Sequence, residues 1–260
     1  MSLKPLGFLQ FILEKNLKIP TALFWLLITC LTVTSIHAQY PNVRERIINL
    51  PNFDQKPIHY GYFLGLNQYD FKFEYIQNYY SELRYKDIAV TQKKGFSVGL
   101  IGDLRVNEYI NLRFEPGLFY NSRALNYPEY PAFSKESDQL REIKSTYIHI
   151  PLLVKLSTKR INNFKPFILG GISTDFNLSS NRKNSDDNAS NVFRTVSQHL
   201  NYELGVGFDF YLFYFKFSPS LRGLFSLENE LIPDNDPQSP WTSKINALFS
   251  RGIALIITFE

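Results

Sequence analysis

Apolar and polar residues alternate with a period of two through eight segments of the chain, residues 58–68, 95–106, 109–123, 145–156, 164–178, 198–210, 214–226 and 245–260. That period places successive side chains on opposite faces of a strand. Between the segments the connections are alternately long and short. Residues 69–94, 124–144, 179–197 and 227–243 are long; 107–108, 157–163 and 211–213 are short. A soluble sandwich or lipocalin-type barrel would tolerate the alternation but does not account for the loop rhythm. An antiparallel barrel crossing a bilayer does, since each crossing takes about 9–11 tilted residues and the turns are short on one side only. The pattern predicts an all-β fold: an eight-stranded antiparallel transmembrane β-barrel of the outer-membrane type. An even number of strands with short periplasmic turns puts both termini in the periplasm.

The two faces differ as a membrane barrel requires. In 109–123, Ile110, Leu112, Phe114, Leu118 and Tyr120 alternate with Asn111, Arg113, Glu115, Gly117, Phe119 and Asn121. In 145–156, Ile148, Ile150, Leu152, Val154 and Leu156 alternate with Tyr147, His149 and Lys155. The buried face of a soluble sandwich rarely carries Arg113 and Glu115, whereas a polar barrel interior accepts them. Pro116, Pro151, Pro166 and Pro219 fall within these segments and lack the N–H that a ladder uses, so they are expected at bulges or strand ends.

Composition adds a compartment. Lys4, Lys15 and Lys18 precede the 12-residue apolar run from Ala22 to Val33, and Ile36-His37-Ala38 precedes a cleavage point at Gln39. Residues 1–38 therefore read as a cleaved secretory signal, too short in its apolar core for a spanning helix of about 20 residues. Cys30 is the only cysteine. It faintly resembles a lipoprotein acceptor, but Thr29 is poor there, and with the signal removed neither disulfides nor thiolate metal sites are possible. Residues 39–57, with Pro41, Pro51 and Pro57, read as a polar periplasmic lead-in, leaving 58–260 as the barrel. The chain holds 28 basic and 24 acidic residues; residues 1–38 take three lysines and Glu14, so 25 and 23 remain. That balance argues against a nucleic-acid partner. The 23 Phe and 16 Tyr suit strands and membrane interfaces.

The inward positions gather Arg113, Glu115, His149, Lys155, Glu203, Asp209, Lys216 and Arg222. Eight strands enclose room for side chains only, so these charges are expected to pair as a structural network that plugs the lumen rather than to line a pore. Some eight-stranded barrels are lipid A hydrolases or transferases, which need a serine, a histidine and an acid at the outer rim. His149 or His199 with Ser122 or Ser145 is the candidate set, while His59 lies toward the other end, and no local motif joins them. No phosphate loop or metal cluster is evident, so neither a cofactor nor a metal is expected. Leu255, Ile257 and the penultimate Phe259 alternate in the last strand, the pattern that barrel-assembly machinery reads as its signal. Outer-membrane lipid and that machinery are thus the first expected partners.

Several segments stand out together: Asn49-Leu50-Pro51-Asn52-Phe53-Asp54 with Lys56 and His59-Tyr60-Gly61, Leu112-Arg113-Phe114-Glu115-Pro116-Gly117-Leu118, and Tyr147-Ile148-His149-Ile150-Pro151-Leu152-Leu153-Val154-Lys155. They continue through Lys159-Arg160-Ile161-Asn162-Asn163, Pro166-Phe167-Ile168-Leu169-Gly170-Gly171, Gly205-Val206-Gly207-Phe208-Asp209-Phe210-Tyr211 and Phe215-Lys216-Phe217-Ser218-Pro219. In these segments the chain resembles the PorT (also called SprT) family of Bacteroidota outer-membrane barrels. His149 stands where related barrels often carry an acid. The resemblance implies a non-catalytic component of type IX protein secretion, and of gliding motility where present, working with other type IX components. The competing readings are a surface adhesin or structural barrel and, third, a lipid A-modifying enzyme.

Overall fold

The computed structural model describes residues 47–77, 87–128, 133, 136–181 and 193–260. The expected signal, the lead-in up to residue 46 and the centres of the first three long connections lie outside the described residues. Ten strands follow one another: β1 (Ile58–Tyr75), β2 (Ala89–Gln92), β3 (Lys94–Arg105), β4 (Ile110–Phe114), β5 (Gly117–Asn126), β6 (Leu140–Ser157), β7 (Phe164–Asn177), β8 (Gln198–Tyr211), β9 (Lys216–Ser226) and β10 (Ile245–Phe259). No helix among the described residues is long and apolar enough to cross a membrane.

The ten strands make eight crossings. β4 and β5 flank Glu115-Pro116 without changing register: Phe114 and Gly117 face Gly102 and Gly99 on β3, and Leu152 and His149 on β6. By that register Glu115 lies across from Pro151 and Pro116 across from Ile150, so the two prolines sit diagonally to each other at the interruption. The ladder therefore loses bonds there without inserting a residue, and the Pro116 carbonyl still accepts from Leu100 N at 2.9 Å. β2 and β3 are separated differently. Gln92 faces Arg123 while Phe96 faces Tyr120, a one-residue slip at Lys93 that marks a β-bulge. Every pairing is antiparallel, and β1 bonds to β10 on one side and to β3 on the other, so the pairings run in a ring.

Three details depart from expectation. Pro151, Pro166 and Pro219 lie inside strands rather than at their ends, paired on one side with Ser173, Phe208 and Ile257. Each faces a missing ladder bond on the other side: the β4/β5 break lies opposite Pro151, the β6–β7 ladder stops at Phe167, and the β8–β9 ladder skips from Ser220 to Phe217. The strand expected from Tyr214 starts at Lys216, because Leu212 N bonds Phe215 O and closes the turn. The strands also run further on the long-loop side: β1 reaches Tyr75, β5 reaches Asn126 and β6 begins at Leu140. The cause is burial. Phe71, Leu125, Ile143, Ile245 and Leu248 pack with Ile88, Tyr127, Phe193 and Leu231 in an apolar cluster, with Phe133 and Trp241 against it. The ends of the long connections thus fold over this end of the barrel instead of remaining polar loops.

The lumen is more mixed than the expected polar core. Phe63, Tyr69, Ile101, Phe119, Tyr147, Leu224, Ala254 and Ile256 form one buried apolar cluster, and Leu153, Phe167 and Leu169 another. Gly99 and Gly117 face each other across β3 and β5, and the Phe63 ring fills the space their missing side chains leave. On the outer face, apolar side chains are exposed in a band, among them Leu64, Leu100, Leu152, Ile168, Leu204 and Leu255. Aromatic pairs bound it. Toward the short turns lie Tyr62–Phe259 at 5.1 Å, Phe164–Phe208 at 5.3 Å and Phe217–Phe259 at 5.6 Å. Toward the long loops lie Phe96–Tyr120 at 5.5 Å and Tyr202–Phe225 at 5.0 Å. From Phe210 to Tyr202 a strand rises roughly 26 Å, or about 20 Å along a tilted axis, near the height of an outer-membrane hydrocarbon band.

Candidate functional site

All eight inward charges expected from the alternation are buried, and they divide between two networks. The first lies toward the short turns. Arg113 is its hub, with ion pairs to Asp103 at 3.3 Å, Glu115 at 3.0 Å and Glu260 at 2.7 Å. Glu115 is also held by Arg222 at 2.5 Å, and Glu260 by Lys216 at 2.5 Å. Lys155 grips both oxygens of Asp209 at 2.8 and 2.6 Å, and the Ser218 hydroxyl donates to the same carboxylate at 2.6 Å. Four cations meet four carboxylates, so the cluster is neutral as a unit, which is what a low-dielectric interior demands.

The second network contains the histidines. His149 presents Nδ1 to Asp175 at 2.5 Å and Nε2 to Glu203 at 2.9 Å. Asn201 donates to Asp175 at 2.9 Å, and His199 Nε2 lies 3.5 Å from the same residue. Glu230, from the last long connection, accepts from Ser250 N at 2.8 Å and from its hydroxyl at 2.9 Å. Arg123 donates to Ser250 Oγ and Tyr147 Oη while its guanidinium covers the Phe71 ring at 3.6 Å. Both nitrogens of His149 therefore face carboxylates. Ser122 instead reaches toward Glu142 at 3.4 Å and Ser145 bonds with Tyr147, so among the described residues neither serine is hydrogen-bonded to His149 or His199.

Asp103, Arg123, Asp175, Glu230 and Glu260 were not among the expected network residues. The first three occupy inward positions on their strands and were accessible by extending the same alternation. Glu230 sits in a loop, where no period applies.

A closed ring of strands, an apolar outer band between aromatic belts and a charge-paired interior together fit one kind of protein. The model of the family described as "Outer membrane protein beta-barrel domain" matches residues 38–231. The chain belongs to that family. This outer-membrane barrel is also similar in fold to three solved structures. OprG from Pseudomonas aeruginosa is 13% identical, covering 78% of this chain and 92% of that one with a TM-score of 0.44. Neisserial surface protein A (NspA) is 10% identical, covering 78% and 98% with a TM-score of 0.40. Ail, the attachment invasion locus protein of Yersinia pestis, solved with the heparin analogue sucrose octasulfate, is 10% identical, covering 77% and 96% with a TM-score of 0.35. No curated protein matches the sequence.

The barrel is covered at both ends, and at the short-turn end the cover is built from three distant segments. Residues 47–57 turn back beneath the lumen through Leu50, at φ 46°, and a 3-10 turn at Phe53–Gln55. Asn49 N donates to Asn163 Oδ1 at 2.9 Å, and Asn49 Nδ2 donates to Tyr211 O at 2.9 Å. Arg160 donates to the carbonyls of Leu50, at 3.1 Å, and Asn49, and its guanidinium stacks 3.6 Å from the Tyr211 ring. The Tyr211 hydroxyl donates to Asp54 at 2.7 Å. Phe53 stacks on His59 at 4.3 Å, with the Lys216 ammonium 4.9 Å from its ring. Asn49, Asp54, Arg160, Asn163 and Tyr211, noticed in the sequence only as parts of separate segments, thus meet at one place. Leu255, Ile257 and Phe259 lie on the outward face of β10, where Phe259 packs against Tyr62, Phe215 and Phe217.

Proposed function

We propose that this outer-membrane barrel is a non-catalytic component of the type IX protein secretion system, serving gliding motility where that exists, and that it acts through its two ends rather than through its lumen. The observation that carries the reading is the lock between residues 49–54 and the Arg160, Asn163 and Tyr211 positions. Three of the segments in which the chain resembles the PorT family supply that lock. In this reading the short turns and both termini face the periplasm, and residues 1–38 are removed on export. The anchored lead-in then presents a fixed surface to other type IX components, while Leu255, Ile257 and Phe259 serve barrel assembly.

The paired charges support a structural lumen, and the carboxylates on both sides of His149 argue against a nucleophilic relay. Deleting the gene is expected to abolish export of proteins carrying the C-terminal type IX signal. Complementation with Arg160→Ala is expected to restore barrel insertion but not full export. Normal export in the deletion strain sinks the proposal. If exchange of the long connections removes surface binding while export persists, the adhesin reading replaces it.

A further inference from the structure

The β1–β3 ladder stops at Gln68 and Lys94, although β1 continues to Tyr75 bonded to β10 alone. Above that point β2 is bonded only to β5, and the gap between β1 and β2 is bridged by Gln68 Nε2 donating to Gln92 Oε1 at 2.7 Å. A recess of about 460 Å3 lies on the outer wall at this seam. Its floor is apolar, formed by Leu66, Leu221, Phe225, Ile253 and Leu255. These side chains point away from the lumen into the apolar band, so what covers them in the membrane is an acyl chain.

The rim is cationic. Lys94 is exposed and has no ion-pair partner among the described residues. Arg251 is 53% exposed and uses Nε and one terminal nitrogen on the same Asp70 oxygen, at 2.9 and 2.6 Å, leaving its other terminal nitrogen for a ligand. Lys94, Arg251 and Asp70 sum to one net positive charge, at the level where the aromatic belt on the long-loop side ends. An acyl-lined floor topped by two cations and an amide pair selects a lipid whose head carries phosphate and hydroxyl groups.

We propose that this seam is a binding site for a phosphorylated glycolipid of the outer leaflet, of the lipid A type, with acyl chains on the Leu66–Leu255 floor and phosphate at Lys94 and Arg251. The choice of leaflet rests on the orientation proposed above; the site itself does not depend on a role in secretion.

The test uses the purified full barrel in detergent, loaded with bis-phosphorylated lipid A, the same lipid after dephosphorylation, or phosphatidylglycerol, with retention read by native mass spectrometry. The wild type is expected to retain bis-phosphorylated lipid A at least tenfold better than the other two. K94Q/R251Q is expected to lose most of that preference, and K72Q, altered at an exposed lysine outside the recess, to keep it. Leu255→Trp, which fills the floor without touching the charges, is expected to reduce retention as well. Folding of each variant is checked by its heat-dependent shift on a gel. Equal retention by wild type and K94Q/R251Q overturns the site, and so does indifference to dephosphorylation. A preference for phosphatidylglycerol overturns the glycolipid assignment. Orientation is read separately, by labelling a Gln238→Cys variant on intact cells with an impermeant maleimide. Labelling places the long connections outside; protection from the reagent with lipid A still retained would overturn the leaflet and leave the binding result standing.

Discussion

Replacing Arg113 with methionine removes the hub of the first ionic network while keeping an unbranched side chain in its place. The structure dictates which carboxylate suffers. Glu115 keeps Arg222 at 2.5 Å, and Glu260 keeps Lys216 at 2.5 Å. Asp103 keeps only a hydrogen bond from the neutral Asn111 amide, at 2.5 Å. The variant therefore carries one buried carboxylate without a directly paired cation, and removal of one partner from a buried ion pair costs about 3–5 kcal/mol. Adding Asp103→Asn should recover much of that loss, with a coupling of about 1–3 kcal/mol between the two sites.

The control is R113M/E115Q. It leaves the same net charge as R113M/D103N but strands both Asp103 and Arg222, so pairing predicts no recovery where net charge alone predicts equal recovery. Urea unfolding of the barrel in lipid vesicles, followed by circular dichroism of the strand signal, measures the wild type, R113M, both double variants and the D103N single variant that the coupling requires. A loss below about 1 kcal/mol for Arg113→Met, or equal stability of the two double variants, would refute the argument that pairing geometry holds the lumen together.

Three further outcomes follow from particular contacts. Arg160→Ala should release residues 47–56 while leaving the barrel melting point nearly unchanged, since the lost bonds lie outside the strand ring; limited chymotrypsin digestion should cut after Phe53 several-fold faster than in the wild type. Glu230→Gln weakens the tie from the last long connection to Ser250, so amide exchange at 228–232 and at Ser250 should accelerate together, and unchanged exchange would show that apolar packing of Leu231 alone seals that end. Gly99→Ala puts a methyl 2.4 Å from the Phe63 ring and 2.5 Å from Pro116 O, whereas at Gly102 the nearest atom is 3.9 Å away. The first should cost about 1–3 kcal/mol by overpacking and the second under about 0.5, both read by the same unfolding assay.

The strands were legible because a barrel wall has two solvents. Each of Ile148, Ile150, Leu152, Val154 and Leu156 meets lipid, and His149 and Lys155 between them meet charged partners, so the period of two is enforced at every step. Strand ends on the long-loop side were not legible. There the outer face turns polar while Phe71, Leu125 and Ile143 continue inward, and short alternation flanked by charged loops reads as loop. The place of Pro151 inside β6 is hidden from the sequence for a related reason. A strand proline is costly where its N–H would have a partner, and whether one exists depends on the opposite strand; here the break at Glu115-Pro116 lies across from it.

The short-turn lock shows the same limit from the functional side. Arg160 lies in a short turn and Asn49 in an irregular lead-in, so neither has a period that assigns it a face. What joins them is a pair of bonds across more than 100 residues, from Arg160 to the Leu50 carbonyl and from Asn49 N to Asn163 Oδ1. The turn itself is prepared for this by Asn162, at φ 56°, which reverses the chain between Ile161 and Phe164 and leaves Asn163 and Arg160 on its open side. A barrel needs only the reversal. An Arg that donates to two lead-in carbonyls, and an Asn that both accepts from and donates to the lead-in backbone, exceed what closing two strands requires. The surplus fixes where residues 47–54 lie, and in the function proposed above a segment held against a lumen already filled by its own charges offers a surface to another protein rather than a path to a solute.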